Sequence, residues 1–257
     1  MTTLRTLAVL CGAVALAACE KNAVQDITGT LPESRVRFYH FGVNAPQVHF
    51  YANDAKVTAT TSATGSESTV GIAYGGVGSG GLYSRIDPGQ YTFSGRITAA
   101  VDKDVVIATV TADIALNRAY SVFLSGFYNA TAKQVDGFVV EDAFPDSIDF
   151  TVAYVRFVNA IANSSPMRLY AINQATGSTE VPVGETAAYK AAGAFVALPP
   201  ATYNLVSRAD GATANAITRT GVSFEGGRVY TVGARGDMTV TSTTAATRPF
   251  LDLTTNR

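Results

Sequence analysis

The chain has 257 residues, of which 47% are hydrophobic and 15% charged, too apolar for disorder and long enough for one large or two ordinary domains. Nineteen Lys and Arg against 20 Asp and Glu leave a formal charge of −1, which gives neither a basic footprint for nucleic acid nor a polybasic patch for a membrane surface. With 23 Gly, 13 Phe, 12 Tyr, no Trp and two His, and many Thr and Val, the composition is that of an all-β protein.

Residues 1–18 read as a signal peptide. Arg5 stands in a short n-region, and Thr6 to Ala18 carry no charge before Glu20 and Lys21, a run too short to span a bilayer as a permanent helix. It ends in Leu16-Ala17-Ala18-Cys19, which resembles the bacterial lipobox, whose Cys carries diacylglycerol after cleavage. Cys19 is therefore the expected lipidation site. The competing reading is cleavage after Ala15-Leu16-Ala17, leaving Cys19 a free thiol. Cys11 is lost with the signal in either case, so no disulfide can form within the mature chain. Three acyl chains would hold the protein permanently at the membrane. Glu20 after the Cys fits the outer membrane by the same resemblance. Residues 19–33, with Gly29 and Pro32 and no sustained period, read as the lipidated Cys and a flexible tether.

An internal repeat follows. Arg35 to Asn53 aligns with Tyr154 to Ile172 at an offset of 119 residues, placing Val36-Arg37-Phe38 on Val155-Arg156-Phe157 and Tyr51-Ala52 on Tyr170-Ala171. Pro88 to Phe93 aligns with Pro200 to Leu205 at offset 112, and Arg118 to Val122 with Arg228 to Val232 at offset 110. Three anchors in the same order, with the offset shrinking only across Gly-, Ser- and Thr-rich stretches, indicate tandem domains. Their expected bounds are 34–142 and 153–257, joined by a linker at 143–152.

Within each repeat the hydrophobic period is two. Val36, Phe38 and His40 alternate with Arg37, Tyr39 and Phe41, and Val48 and Phe50 with His49 and Tyr51. Tyr91 and Phe93, Val105 to Val110, Tyr120 to Leu124 and Phe138 to Val140 supply further strands, separated by turns such as Asp87-Pro88-Gly89. Seven or eight strands per repeat predict two tandem immunoglobulin-like β-sandwiches. A transmembrane β-barrel is the rival, but the acidic loops break the regular hairpins it needs.

At these anchors the sequence resembles a bacterial envelope family known only as a domain of unknown function, family 4397, often found in tandem on lipoproteins. The first copy carries Val36-Arg37-Phe38-Tyr39-His40, then Asn44-Ala45-Pro46 and Val48-His49-Phe50-Tyr51. The second carries Val155-Arg156-Phe157-Val158-Asn159, then Pro166 and Met167-Arg168-Leu169-Tyr170. The corners at Pro88 to Tyr91 and Pro200 to Tyr203 complete the pattern. The second copy departs at Asn159, and both copies replace the usual acidic residue of the second strand, by His49 and Arg168. The resemblance implies the fold and an envelope location; the family has no established activity.

Residues 75–81 contain a literal G-x-G-x-x-G at Gly76, Gly78 and Gly81. A dinucleotide site would need a helix next, whereas Leu82 to Ile86 runs into the Asp87-Pro88-Gly89 turn. The bland reading is a flexible loop. The sharper one is a binding loop flanked by Tyr74 and Tyr83, whose rings would stack on a glycan or peptide. The two imidazoles, His40 and His49, are the only ones available to a hydrolase. His40 and Asn159 occupy one repeat position, so a shared hydrogen-bonding role at the sandwich rim explains both; His49 and Tyr51 are expected on a solvated face. Tyr91 and Tyr203 are structural corner residues. Asp102 with Asp104, and Glu141-Asp142 with Asp146, are short acidic turns expected to bind water rather than Ca²⁺. No cofactor or metal is expected.

The sequence thus predicts a non-enzymatic lipid-anchored envelope protein, a binding or adhesion module contacting the membrane through its N-terminal lipid and a glycan or envelope protein through its loops, with no nucleic-acid partner. The alternatives are a structural spacer or assembly partner of an outer-membrane complex and, third, an uncharacterised hydrolase.

Overall fold

Period-two alternation places Val36, Phe38 and His40 on one side of the first strand and Arg37, Tyr39 and Phe41 on the other, and in the computed structural model both sides are buried. The structure describes residues 34–58, 69–176 and 179–257; Cys19 and the expected signal peptide and tether lie outside them. No helix among the described residues is long and apolar enough to cross a membrane.

The first repeat comprises β1 (Arg35–Val43), β2 (Val48–Ala52), β3 (Ala55–Lys56), β4 (Gly76–Val77), β5 (Ser84–Arg85), β6 (Gly89–Ile97), β7 (Val106–Ile114), β8 (Ala119–Asn129) and β9 (Gln134–Glu141). The second comprises β10 (Ala153–Asn159), β11 (Met167–Asn173), β12 (Glu180–Ala187), β13 (Val196–Leu198), β14 (Ala201–Ala209), β15 (Ile217–Phe224), β16 (Val229–Arg235) and β17 (Phe250–Thr255). In the first, a sheet ordered β4-β1-β8-β9, with β5 also on β1, faces a sheet ordered β3-β2-β6-β7. In the second the orders are β13-β10-β16-β17 and β12-β11-β14-β15. These are two β-sandwiches of one topology. In both, the opening strand runs parallel to the penultimate one, Arg35 opposite Ala119 and Tyr154 opposite Val229. The other strand pairings among the described residues are antiparallel.

Each sandwich has its own core. Val36, Phe38, Phe50, Phe93, Ile107 and Val122 fill the first, and Val155, Phe157, Leu169, Leu205, Val222 and Val232 the second. A third cluster, Tyr39, Phe41, Phe123 and Phe138 with Val158 and Ala160, lies between the sandwiches, where the β1-β8-β9 sheet meets β10 and β16. Bulk on one side meets small residues on the other. Tyr39, Phe41 and Phe123 correspond by repeat position to Val158, Ala160 and Gly233, and a Cβ at Gly233 would sit 2.9 Å from the Phe41 ring. Burying such side chains contributes about 1.5–3 kcal/mol each. The linker is pinned rather than free: Phe144 packs 5.6 Å from Phe195 of the second repeat and 6.1 Å from Tyr83 of the first.

Two expectations are corrected. His49 and Tyr51 are not on a solvated face; they are 7% and 8% exposed. Strand β2 is closed in because Val48 and Ile72 exchange backbone hydrogen bonds and the Arg96 guanidinium covers the Tyr51 ring at 4.1 Å. The glycine stretch is not simply a loop. Gly76 and Val77 add an edge strand to β1, opposite His40 and Tyr39, before a short 3-10 turn at Gly78–Gly81.

Candidate functional site

The outward side of β1 and β10 carries an arginine at the same position in each repeat, Arg37 and Arg156, and both side chains are buried at the junction. Each nitrogen of Arg156 has a partner: Nε donates to Thr231 Oγ1 (3.0 Å), Nη1 to the Glu141 carbonyl (2.9 Å), and Nη2 pairs with the Asp142 carboxylate. Asp142 also accepts from Ser121 Oγ (2.8 Å) and from the Tyr83 hydroxyl (2.5 Å). Tyr83 in turn accepts from Asn256 Nδ2 at 2.8 Å. Burial first, and then the Asp142 charge, push the Tyr83 hydroxyl far above its ordinary range, so it stays protonated and donates.

Arg37, the counterpart of Arg156, is 2% exposed and meets no carboxylate among the described residues. Its guanidinium lies 3.9 Å from the Tyr83 ring centroid, its Nη1 makes only a long 3.4 Å contact to the Tyr39 hydroxyl, and its Nε has no hydrogen-bond partner. It lines a cleft of about 680 Å³ that opens between the repeats. One wall is the Gly80-Gly81-Leu82-Tyr83 segment; the other is Arg228 with residues 253–257 at the end of β17. No acidic side chain lines it.

The residues singled out from sequence divide here. Gly81 and Tyr83 reach the cleft, whereas Gly76 and Gly78 do not line it. They are packing glycines: a Cβ at Gly76 would lie 2.8 Å from the Ala73 carbonyl, and one at Gly78 3.0 Å from Thr58. Gly81 has φ +86° with open space around it, a backbone state that glycine adopts without strain. Tyr74 and Tyr83 are not the pair of stacking rings expected beside the loop. Arg235 of the second repeat lies 4.8 Å from the Tyr74 ring and Arg37 covers Tyr83, so both rings are taken up within the protein.

His40 and Asn159 hold the same station. His40, fully buried, donates from Nε2 to the Pro46 carbonyl at 2.9 Å. Asn159 accepts from the Ile161 amide (3.1 Å) and donates to the Ala187 carbonyl (3.2 Å). Desolvation lowers the His40 pKa, keeping the ring neutral. Tyr203 donates to the Pro199 carbonyl at 2.7 Å, four residues back, while Tyr91 stacks on Phe93 at 5.8 Å. Tyr120 and Tyr230, also repeat equivalents, each accept an amide from five residues upstream, Ala115 and Glu225. The acidic turns are engaged within the protein, Asp102 with Lys133 and Asp142 with Arg156.

Sequence reasoning missed Arg37 and Arg156, although an arginine between Val and Phe in both copies, beside the outward Tyr39 and Phe41, was a legible sign of a second buried face. It also missed the part that Arg228, known only as a repeat anchor, plays in the cleft wall, and residues 253–257, for which no local pattern exists.

No protein-family model and no curated protein matches the chain. Solved structures share only faint similarity. The Bacillus anthracis TIE protein aligns at 15% identity over 79% of this chain with a TM-score of 0.25, and this chain spans 33% of that one. A Bacteroides ovatus protein described as a "putative cell adhesion protein" aligns at 11% identity over 89% of this chain and 97% of its own, TM-score 0.24. A Bacteroides fragilis protein of the same description aligns at 10% identity over 87% and 97%, TM-score 0.19.

Proposed function

We propose that this is a non-enzymatic, lipid-anchored cell-envelope protein whose two docked sandwiches form a binding module, with the ligand taken in the cleft between the repeats. The observation that carries the reading is the cleft itself: a concave site of about 680 Å³, in the size range of small-ligand sites. It is walled by both repeats, with a buried cation and the exposed Leu82 at its edge. The anchoring part rests on the lipobox-like Leu16-Ala17-Ala18-Cys19, and the resemblance to family 4397 fits an envelope location. A binding role is favoured over a hydrolase because neither imidazole lines the cleft and His40 is committed to a backbone carbonyl.

Two measurements test this. Wild type and Cys19→Ser are fractionated and exposed to protease on intact and opened cells; loss of membrane association in Cys19→Ser supports the anchor, and retention overturns it. The full chain in detergent is then screened against a panel of oligosaccharides and purified envelope proteins. Binding without turnover that Leu82→Asp weakens supports the cleft; partners bound equally by Leu82→Asp, or turnover of any of them, overturn the reading.

A further inference from the structure

Two residues that line the cleft each carry a buried polar atom without a partner, and the two atoms ask for opposite things. Arg37 Nε is a cationic donor with no acceptor; Asn256 Oδ1, on a residue 8% exposed, is an acceptor with no donor.

The repeat explains why Arg37 is left over. The Asp142 amide donates to the Ala119 carbonyl at the end of the first sandwich (2.6 Å), and the Asn256 amide donates to the Val229 carbonyl at the end of the second (2.7 Å). Ala119 and Val229 are repeat equivalents, so Asp142 and Asn256 hold the same station. Asp142 is the carboxylate that neutralises Arg156. The corresponding side chain on the other side of the junction is a neutral amide, so of the two buried guanidinium groups only Arg156 meets a carboxylate among the described residues. A buried cation without a counterion is costly, and here it lines an open cleft that Arg228 and Arg257 also line.

From this geometry, and resting on the binding-module reading, we propose that the cleft recognises an acidic saccharide, its carboxylate drawn to the uncompensated charge of Arg37 and its hydroxyls to the polar wall that includes Asn256. A sugar acid supplies an anionic acceptor and a hydroxyl donor side by side. The remaining walls suit such a ligand: Thr254 and Thr255 and the open backbone of Gly80 and Gly81 can meet further hydroxyls, and Leu82, 71% exposed, can meet a C–H face. A guanidinium binds a carboxylate as a two-pronged pair of opposite charges; a neutral sugar offers hydroxyl acceptors without the opposing charge.

The test is titration calorimetry of the full chain in detergent with a galacturonic acid trisaccharide, a neutral galactose trisaccharide and the peptide acetyl-Asp-Asp-Asp-amide. The acidic sugar is expected to bind about tenfold or more tighter than the other two, the scale of one strong charge-assisted bond. Arg37→Gln should abolish that preference. Since Arg37 is buried, Leu82→Asp at the exposed edge is the second variant; its added negative charge should weaken the acidic sugar more than any neutral-sugar binding and so shrink the preference. The proposal is overturned if the acidic sugar does not bind, if the neutral sugar or the peptide binds as tightly, or if folded Arg37→Gln and Leu82→Asp keep the preference. In the second case a cleft that still responds to Leu82→Asp leaves the binding-module reading standing, whereas a chain that binds nothing across the wider panel overturns that reading itself.

Discussion

Arg37 and Arg156 occupy one position in two copies of the same fold, yet Arg156 is paired with the Asp142 carboxylate while Arg37 rests on the Tyr83 ring. The difference fixes how the two sites respond to mutation. Arg156→Met should destabilise the protein by about 3–5 kcal/mol, because it leaves Asp142 buried without its cation. Arg37→Met, which orphans no carboxylate and replaces a poorly satisfied cation with apolar volume, should be neutral or stabilising. Urea unfolding of both variants checks this; equal losses would contradict it.

The junction depends on a size match across the repeats. Gly233→Val should cost about 1–3 kcal/mol, since its side chain must displace the Phe41 ring. Combining it with Phe41→Ala should recover part of that loss, giving a favourable coupling in a double-mutant cycle. Strict additivity would show that the two residues are not in contact.

Tyr83→Phe keeps the ring under Arg37 and removes the hydroxyl between Asp142 and Asn256. A loss of about 1–3 kcal/mol in thermal or urea unfolding is expected, from a buried carboxylate oxygen and a buried amide left with fewer partners. An unfolding midpoint equal to that of wild type would contradict the bridging role of the hydroxyl.

Burial holds His40 neutral and lowers its pKa below 6.5. Folding therefore excludes a proton that the unfolded chain takes up below about pH 6.5. The His40 contribution to stability is flat above that pH and falls as the pH drops from there towards the depressed folded value. His40→Asn, which copies the residue of the second repeat, should keep the fold and shallow this decline. Chemical denaturation between neutral and acidic pH measures it; a decline of unchanged steepness would contradict the assignment.

The all-β class and the two-sandwich organisation were legible because the Val-Arg-Phe strand, the Pro-to-Tyr corner and the Arg-to-Val strand each recur in order. The parallel register of β1 with β8 was not, since no local pattern encodes which strands pair across a crossover. Alternation alone assigned Arg37, Tyr39 and Phe41 to an outer face without saying what covers it, and the covering residues, Val158, Ala160 and Gly233, are small and unremarkable in sequence. Of the candidate binding loop, Gly81 and Tyr83 reached the cleft, whereas the opposite wall comes from residues more than 140 positions away, a distance over which neither periodicity nor motif spacing carries information.

The cleft exists only while the repeats are docked, so the most direct measurement is hydrogen exchange by mass spectrometry on β8 and β16, in wild type and in Asp142→Ala. If the repeats form one cooperative body, both strands should exchange with the same opening free energy in wild type, and Asp142→Ala should lower protection in both. Independent opening of the two strands, or an effect of Asp142→Ala confined to β8, would contradict a junction built by Arg156 and Asp142.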